Sequence, residues 1–160
     1  MTTYTAYYSS PIGLIAVTGT ETHITRIDFC KGDEKALPET PATPVMHQCI
    51  TELEEYFANR LTTFTVPLQP AGTDFQKKVW EELMKIPHGK VISYNEMAKR
   101  LGDEKVIRAA ASANGKNPIG ILIPCHRVIG ANGDLVGYAG GLDKKRLLLE
   151  HEGAIAKSLF

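Results

Sequence analysis

Cys125 and His126 stand side by side after Pro124, inside the apolar run ILIPCHRVIG at residues 121–130. Cysteine reacts as the thiolate, and a free thiol, with a pKa of about 8.5, is mostly protonated at neutral pH. A nucleophilic role therefore requires a base or a positive neighbour. In an extended strand the two side chains would point to opposite faces; a turn after Pro124 would let a water bridge them. A third group normally orients the imidazole, and the C-terminal stretch KKRLLLEHEG offers Glu150 and Glu152. Taken alone, the pair reads more readily as a buried structural thiol beside an exposed histidine.

The elements that must position these residues differ between the two halves. TAYYSS, LIAVT and ITRIDF are short, rich in β-branched and aromatic residues and separated by turn residues, which predicts an antiparallel meander. KGDEKALPETPATP, 31–44, is a proline-rich loop. Val45, Cys49, Leu53 and Phe57 recur every four residues and predict a helix over 45–60 with Cys49 as a core thiol. FTVPL, 64–68, reads as an edge strand, because Pro67 cannot donate to a ladder. QPAGT, 69–73, marks the boundary, giving expected domains 1–72 and 73–160.

The second half reads as mainly helical. Thr73 with Gln76, and Ser93 with Glu96, have capping-box spacing. YNEMAKRL closes at Gly102, and Asp103 can cap EKVIRAAASAN. Helix, glycine turn, helix is the outline of a helix-turn-helix, although a packing hairpin has the same pattern. The second helix is almost bald through Ala109, Ala110, Ala111 and Ala113, with Arg108 at its start. Such a face suits close approach, whether to another helix or to a nucleic-acid groove.

The 160 residues, 43% apolar and 22% charged, have ordinary globular composition. The net charge is zero, but residues 1–72 carry four Lys/Arg against eight Asp/Glu and residues 73–160 carry fourteen against ten. The C-terminal half is thus the better candidate for a polyanion. Three cysteines without framework spacing favour free thiols in a reducing compartment, and the cytoplasm is the expected location. No apolar run reaches membrane-span length, and MTTYTAYYSS lacks the look of a secretory signal. No Cys/His pair has zinc-ligand spacing, so no metal is expected.

The run NPIGILIPCHRVIG resembles the active-site signature of the O6-alkylguanine-DNA alkyltransferases, whose core reads Pro-Cys-His-Arg-Val, here Pro124 to Val128. The family places a Tyr on the first helix of its helix-turn-helix, and SYNEMAKRLG supplies Tyr94. It places an Arg followed by small residues on the recognition helix, supplied by Arg108 and its alanines. Asn117-Pro118 precedes the reactive segment, a glycine-rich loop Val136-Gly137-Tyr138-Ala139-Gly140-Gly141-Leu142 follows it, and Glu152-Gly153 closes the C-terminal helix. The likeness is nearly continuous over residues 73–153.

That resemblance implies an α+β fold. A small antiparallel-sheet domain, ribonuclease H-like, would precede a mainly helical domain that carries the helix-turn-helix. It implies direct, stoichiometric and irreversible transfer of the alkyl group from O6-alkylguanine in DNA to Cys125, and leaves O4-alkylthymine open as a second substrate. The implied catalytic residues are Cys125, His126, Glu152, Asn117 and Tyr94, the last as proton donor to guanine N3. Arg108, Ala109, Ala110, Ala113, Tyr94 and Arg127 are the implied DNA contacts, made in the minor groove of a duplex whose damaged nucleotide is flipped out. Val128, Tyr138, Ala139, Gly140 and Gly120 would line the substrate pocket, with Gly120 leaving space for alkyl groups larger than methyl. No cofactor and no membrane are implied, and a monomer is expected. Three alternatives remain at this point: a lesion sensor that does not react, a cysteine hydrolase, and a helix-turn-helix regulator indifferent to Cys125.

Overall fold

The computed structural model describes residues 2–157. The chain divides into two compact units, Met1–Ala71 and Gly72–Phe160. Among the described residues, no helix is long and apolar enough to cross a membrane.

In the first unit, β1 (Tyr4–Ser10), β2 (Gly13–Gly19) and β3 (Ile24–Phe29) form the meander, an antiparallel sheet in the order β1-β2-β3. Helix α1 (Pro44–Phe57) opens on Pro44, whose fixed φ suits a first helical turn, and packs on the sheet. Val45, Met46, Cys49, Leu53 and Tyr56 are buried. The inward residue of the last turn is Tyr56, with Phe57 only half-buried, because a four-residue spacing drifts off a face that repeats every 3.6 residues. Burial pushes the Cys49 thiol up to about 12, with Glu52 adding to it, so this cysteine is an inert core residue.

The segment 64–68 does not form the expected strand. It makes one parallel bridge, Ile24 to Leu68, through Ile24 N–H to Pro67 O at 2.9 Å and Gln69 N–H to Ile24 O at 2.8 Å. The rest of its bonding goes to a side chain: the buried Glu52 carboxylate accepts from Thr65 N, Thr65 Oγ1 and Val66 N. Those donors would otherwise have sought a neighbouring strand.

In the second unit, α2 (Asp74–Leu83) starts with the full capping box: Gln76 N–H donates to Thr73 Oγ1 at 3.1 Å, and Thr73 N–H donates to Gln76 Oε1 at 2.9 Å. A two-residue strand β4 (Ile92–Ser93) leads directly into α3 (Tyr94–Arg100), capped by Ser93 Oγ. Gly102, with φ 93°, turns the chain, and Asp103 accepts from Lys105 N–H at 2.8 Å. A short 3-10 turn, Glu104–Val106, then feeds α4 (Ile107–Gly115), which is where the α-helix begins. Trp80 Nε1–H donates to Ala113 O at 2.9 Å and ties α2 to α4. After a loop, residues 125–127 form a 3-10 turn that continues into β5 (Val128–Ile129). Strand β5 pairs with β4 in parallel, Ile92 with Val128 and Ser93 with Ile129, and α5 (Leu142–His151) follows.

Candidate active site

Pairing of β4 with β5 places the start of α3, and therefore Tyr94, beside the segment that carries the thiol. Pro124 (φ −81°, ψ 61°) follows a turn through residues 120–122, and the next three residues wind into the 3-10 turn. Cys125 is 5% exposed and His126 fully buried.

The loop before the turn is held from within. Asn117 Nδ2 donates to Ile123 O at 2.8 Å while Asn117 Oδ1 accepts from Ile119 N–H at 2.9 Å. Between them Ile121 takes φ 70°, and Leu122 N–H reaches back to Gly120 O at 2.8 Å. A β-branched residue in the left-handed region is strained by about 1–3 kcal/mol, and such strain persists only where the surroundings impose it. The two Asn117 bonds supply that constraint.

His126 Nε2 lies 2.8 Å from Glu152 Oε2. The same carboxylate accepts from Arg127 Nε at 2.8 Å and Arg127 Nη2 at 2.9 Å, and Arg127 Nη1 donates to Ile86 O at 2.7 Å. Burial alone would raise the Glu152 pKa, but the hydrogen bonds from His126 and Arg127 hold it well below the usual carboxylate range. Burial lowers the His126 pKa despite the carboxylate, so the ring is neutral. An ionised Glu152 can only accept, so Nε2 bears the ring proton and Nδ1 carries the lone pair. Nδ1 is buried and has no hydrogen-bond partner among the described residues. It is a base waiting for a proton.

Burial pushes the Cys125 thiol up, opposed by a hydrogen bond from Asn117 and by the charge of Lys145. The resting sulfur is therefore a thiol. Lys145 is itself fully buried on α5. Its Nζ donates to Val136 O at 2.8 Å and Gly137 O at 3.3 Å and lies 5.9 Å over the Tyr94 ring. Burial brings its pKa down to about 8, against the pull of Cys125. Tyr94 Oη donates to the same Val136 carbonyl at 3.2 Å, so Tyr94 and Lys145 both bond the glycine-rich loop.

Of the residues singled out in the sequence, the fold brings Cys125, His126, Asn117, Glu152 and Tyr94 together. Val128 is fully buried behind the turn, and Gly120 is half-buried. Tyr138, whose phenol is raised well above its ordinary value by burial and by the charges of Cys125 and Glu152, belongs to the same centre, with Ala139 and Gly140 beside it in the loop. Three residues expected at the DNA surface lie elsewhere. Arg127 is buried in its ion pair with Glu152, because an uncompensated carboxylate there would be costly. Ala110 and Ala113 face inward, 1% and 2% exposed, since a helix presents only one side and theirs packs on α2. The exposed side of α4 is formed by Arg108, Ala109 and Ser112.

Lys145 and Asn114 escaped the sequence reading. The signal was present in each case: Lys145 shares a helical face with Leu148, Leu149 and Glu152, and Asn114 shares one with Ala110 and Ala113. A polar residue on an apolar stripe marks an internal polar site.

The carboxylate-imidazole pair makes the fold acid-sensitive. Glu152 has a folded pKa below its unfolded value, so its contribution is complete above about pH 4.5 and is lost as pH falls toward the folded value. His126 also has a folded value below 6.5, so below that pH the unfolded chain binds the proton first and stability declines. Thermal melts from pH 8 to pH 4 are expected to show Tm falling from about pH 6.5 downward and more steeply below about pH 4.5. A Tm flat to pH 4 contradicts this assignment of charges.

Comparison with known proteins agrees with the site. Residues 74–154 match the family model described as the DNA-binding domain of 6-O-methylguanine DNA methyltransferase, and residues 3–70 match its ribonuclease-like domain. The Methylated-DNA--protein-cysteine methyltransferase of Methanosarcina acetivorans is 47% identical over 156 residues, covering 94% of this chain and 99% of that protein. The Mycobacterium bovis protein of the same name is 43% identical over 145 residues, 89% of this chain and 88% of that one. The crystal structure of Mycobacterium tuberculosis O6-methylguanine methyltransferase superposes with a TM-score of 0.85 at 40% identity, covering 98% of this chain and 96% of that one. The M. tuberculosis protein in complex with DNA also gives 0.85, at 41% identity over 94% of this chain and 93% of that one. With both units matched and the thiol-imidazole-carboxylate geometry in place, the chain belongs to the 6-O-methylguanine DNA methyltransferase family.

Proposed function

We propose that each molecule repairs one lesion, drawing the alkyl group from O6 of guanine in DNA onto Cys125. One observation carries this reading: Cys125 shares a buried turn with a neutral imidazole whose Nδ1 lone pair has no partner among the described residues and whose Nε2 is fixed by an ionised carboxylate. His126 takes the thiol proton, through a water, as the target arrives. The Sγ–carbon bond forms as the carbon–O6 bond breaks, and guanine leaves with the electron pair. Tyr94 gives its phenolic proton to N3 of the departing base. Asn117 holds the loop that aims the sulfur, and the glycine-rich loop with Tyr138, Ala139 and Gly140 lines the base pocket together with Val128. Gly120, lacking a side chain, leaves the alkyl end open to groups larger than methyl. A thioether does not hydrolyse, so the thiol is not regenerated.

DNA is the partner. A base inside a duplex must leave the stack to be reached, at a cost of a few kcal/mol. The exposed side of α4 fits the minor groove, about 6 Å wide, because Ala109 and Ser112 are small. Arg108 fills the space left by the extruded nucleotide. Binding through phosphates makes recognition independent of sequence and weaker at high salt. Three free thiols, two of them buried, suit a monomer working in the cytoplasm, with the division into domains at 72/73.

Intact-protein mass spectrometry after mixing with a duplex containing O6-methylguanine tests the reading. One methyl per molecule, on the Cys125 peptide, is expected, with lesion loss stopping at one equivalent. Unmodified protein that keeps turning over would overturn it in favour of a hydrolase.

A further inference from the structure

Lys145 is fully buried on α5, and lysine is rarely found so unless paired. Its partners here are carbonyl oxygens: Nζ donates to Val136 O at 2.8 Å and to Gly137 O at 3.3 Å. Burial lowers its pKa to about 8, so the ammonium keeps its charge at neutral pH. A cation taken out of water without a counter-charge costs stability, which a methionine of similar length would not. The proton transfers and the displacement make no use of it. The stretch that it bonds, however, needs a tether. Among the described residues, 135–137 take part in no backbone–backbone hydrogen bond, and Val136 and Gly137 are exposed. Gly137 sits at φ 59°, so the chain has little stiffness of its own there. Side chains fix this stretch instead: Lys145 from α5, and the Tyr94 hydroxyl from the start of α3, which donates to the same Val136 O at 3.2 Å. Lys145 Nζ stands 5.9 Å over the Tyr94 ring, within cation–π reach, so the two tethers also hold each other.

We propose that Lys145 is a positioning residue that latches the glycine-rich loop over the base pocket, its ammonium pinning the Val136 and Gly137 carbonyls to α5 and, through the shared Val136 oxygen, to Tyr94. The inference rests on the reading of that loop as a wall of the base pocket. Tyr138, Ala139 and Gly140 follow directly, so fixing the two carbonyls fixes where the wall begins. At the far end Gly141 N–H donates to Tyr138 O at 2.9 Å, and Lys145 N–H donates to Gly141 O at 3.2 Å. One residue thus clasps the loop at both ends, with its side chain at 136–137 and its backbone at 141. The shared oxygen has a further consequence. When Tyr94 turns its proton from Val136 O toward the base, Lys145 keeps that carbonyl satisfied, and the loop stays in place through the reaction.

The test is hydrogen exchange of the loop amides, 136–142, in the whole protein without DNA. Single-turnover methyl transfer at saturating O6-methylguanine duplex follows, with Tm and duplex Kd measured for each variant. Lys145→Met, which keeps the length and loses the charge, should exchange the loop amides about ten- to a hundredfold faster, the scale of a charge-assisted hydrogen bond. Its Tm should equal or exceed wild type. Its Kd should stay within about twofold, because the exposed side of α4 is untouched, while transfer slows about ten- to a hundredfold, as when a reacting group is misplaced by about 1 Å. Lys145→Gln, which keeps an N–H donor one bond shorter, should fall between Lys145→Met and wild type in loop exchange and in rate, and it decides the matter should Lys145→Met not fold. Tyr94→Phe, which removes the other tether on Val136 O, should also speed loop exchange. Loop exchange as slow as wild type in the Lys145 variants overturns the latch, since any lost transfer would then come from the charge acting on the sulfur. Fast exchange with unimpaired transfer, or a rate that falls in step with Tm, overturns it equally. Methylation of Cys125 in wild type is read separately, so a failure of the repair reaction is distinct from a failure of the latch.

Discussion

Replacing Cys125 with serine leaves duplex binding intact and removes methyl transfer. The substitution changes one buried atom, and the turn is held by Pro124, by the Asn117 bonds to Ile123 O and Ile119 N–H and by the ion pair behind it, all of which serine leaves in place. The exposed side of α4, proposed to dock on DNA, is untouched, so Kd for a lesion-containing duplex should stay within about twofold, well under the tenfold that 1.4 kcal/mol would produce. Transfer is another matter. A neutral histidine can take a proton from a thiol of ordinary pKa about 8.5 but has no comparable hold on an alcohol, and the thiolate is the nucleophile the displacement needs. Burial already raises the Cys125 pKa, and an alkoxide there would be far worse. Mass spectrometry of the Cys125→Ser protein after hours with excess duplex should find no methyl group on the peptide that spans the substituted position, while gel shift shows the complex. Transfer at wild-type rate would remove Cys125 from the chemistry, and lost binding would mean that the sulfur holds the fold.

Glu152→Gln should damage both stability and rate, and a compensating change should separate them. The carboxylate is bonded by His126 Nε2 and by two nitrogens of Arg127. Neutralising it strands the Arg127 guanidinium in the interior with Ile86 O as its remaining partner among the bonds described, and breaking a buried pair in this way costs about 3–5 kcal/mol. The amide also presents either an oxygen or an NH2 group to the imidazole, so the tautomer that keeps Nδ1 free is no longer enforced. Loss of a positioned general base lowers rates by about 10²–10⁴-fold. Arg127→Met combined with Glu152→Gln removes the stranded charge and should recover most of the Tm, because apolar replacement of a whole buried pair is often neutral. It should not recover the rate. Recovery of both together would show that Glu152 acts only through folding.

These expectations depend on residues of very different visibility in the sequence. The caps at Thr73, Ser93 and Asp103 were legible because capping is settled within four residues of chain, and the structure makes each bond. The same holds for the meander and for the helix-turn-helix outline. The roles of Cys125, His126 and Glu152 came from resemblance; spacing alone left Glu150 and Glu152 equivalent, and only the fold of α5 against the reactive turn shows Glu152 on the imidazole. What could not be read was which side of an element faces inward. Arg127 stands among the DNA contacts the resemblance implies, but its partner, Glu152, sits 25 positions away and holds it inside. Ala110 and Ala113 are indistinguishable from Ala109 by type, and only packing on α2 sorts them. Lys145 and Asn114 stay hidden for the same reason, since both residue types are usually exposed. Phe57 and the strand assigned to 64–68 failed on finer geometry, a drift in helical phase in one case and capture by Glu52 in the other.

A protein that works once has to survive until its moment. The sulfur that ends its service is only 5% exposed, and it rests in the protonated form. Peroxides and diffusible alkylating agents attack thiolates they can reach, so they find little purchase here. Each copy can therefore wait in the same chemical weather that injures the genome, unspent, until a damaged base brings its carbon into the crevice.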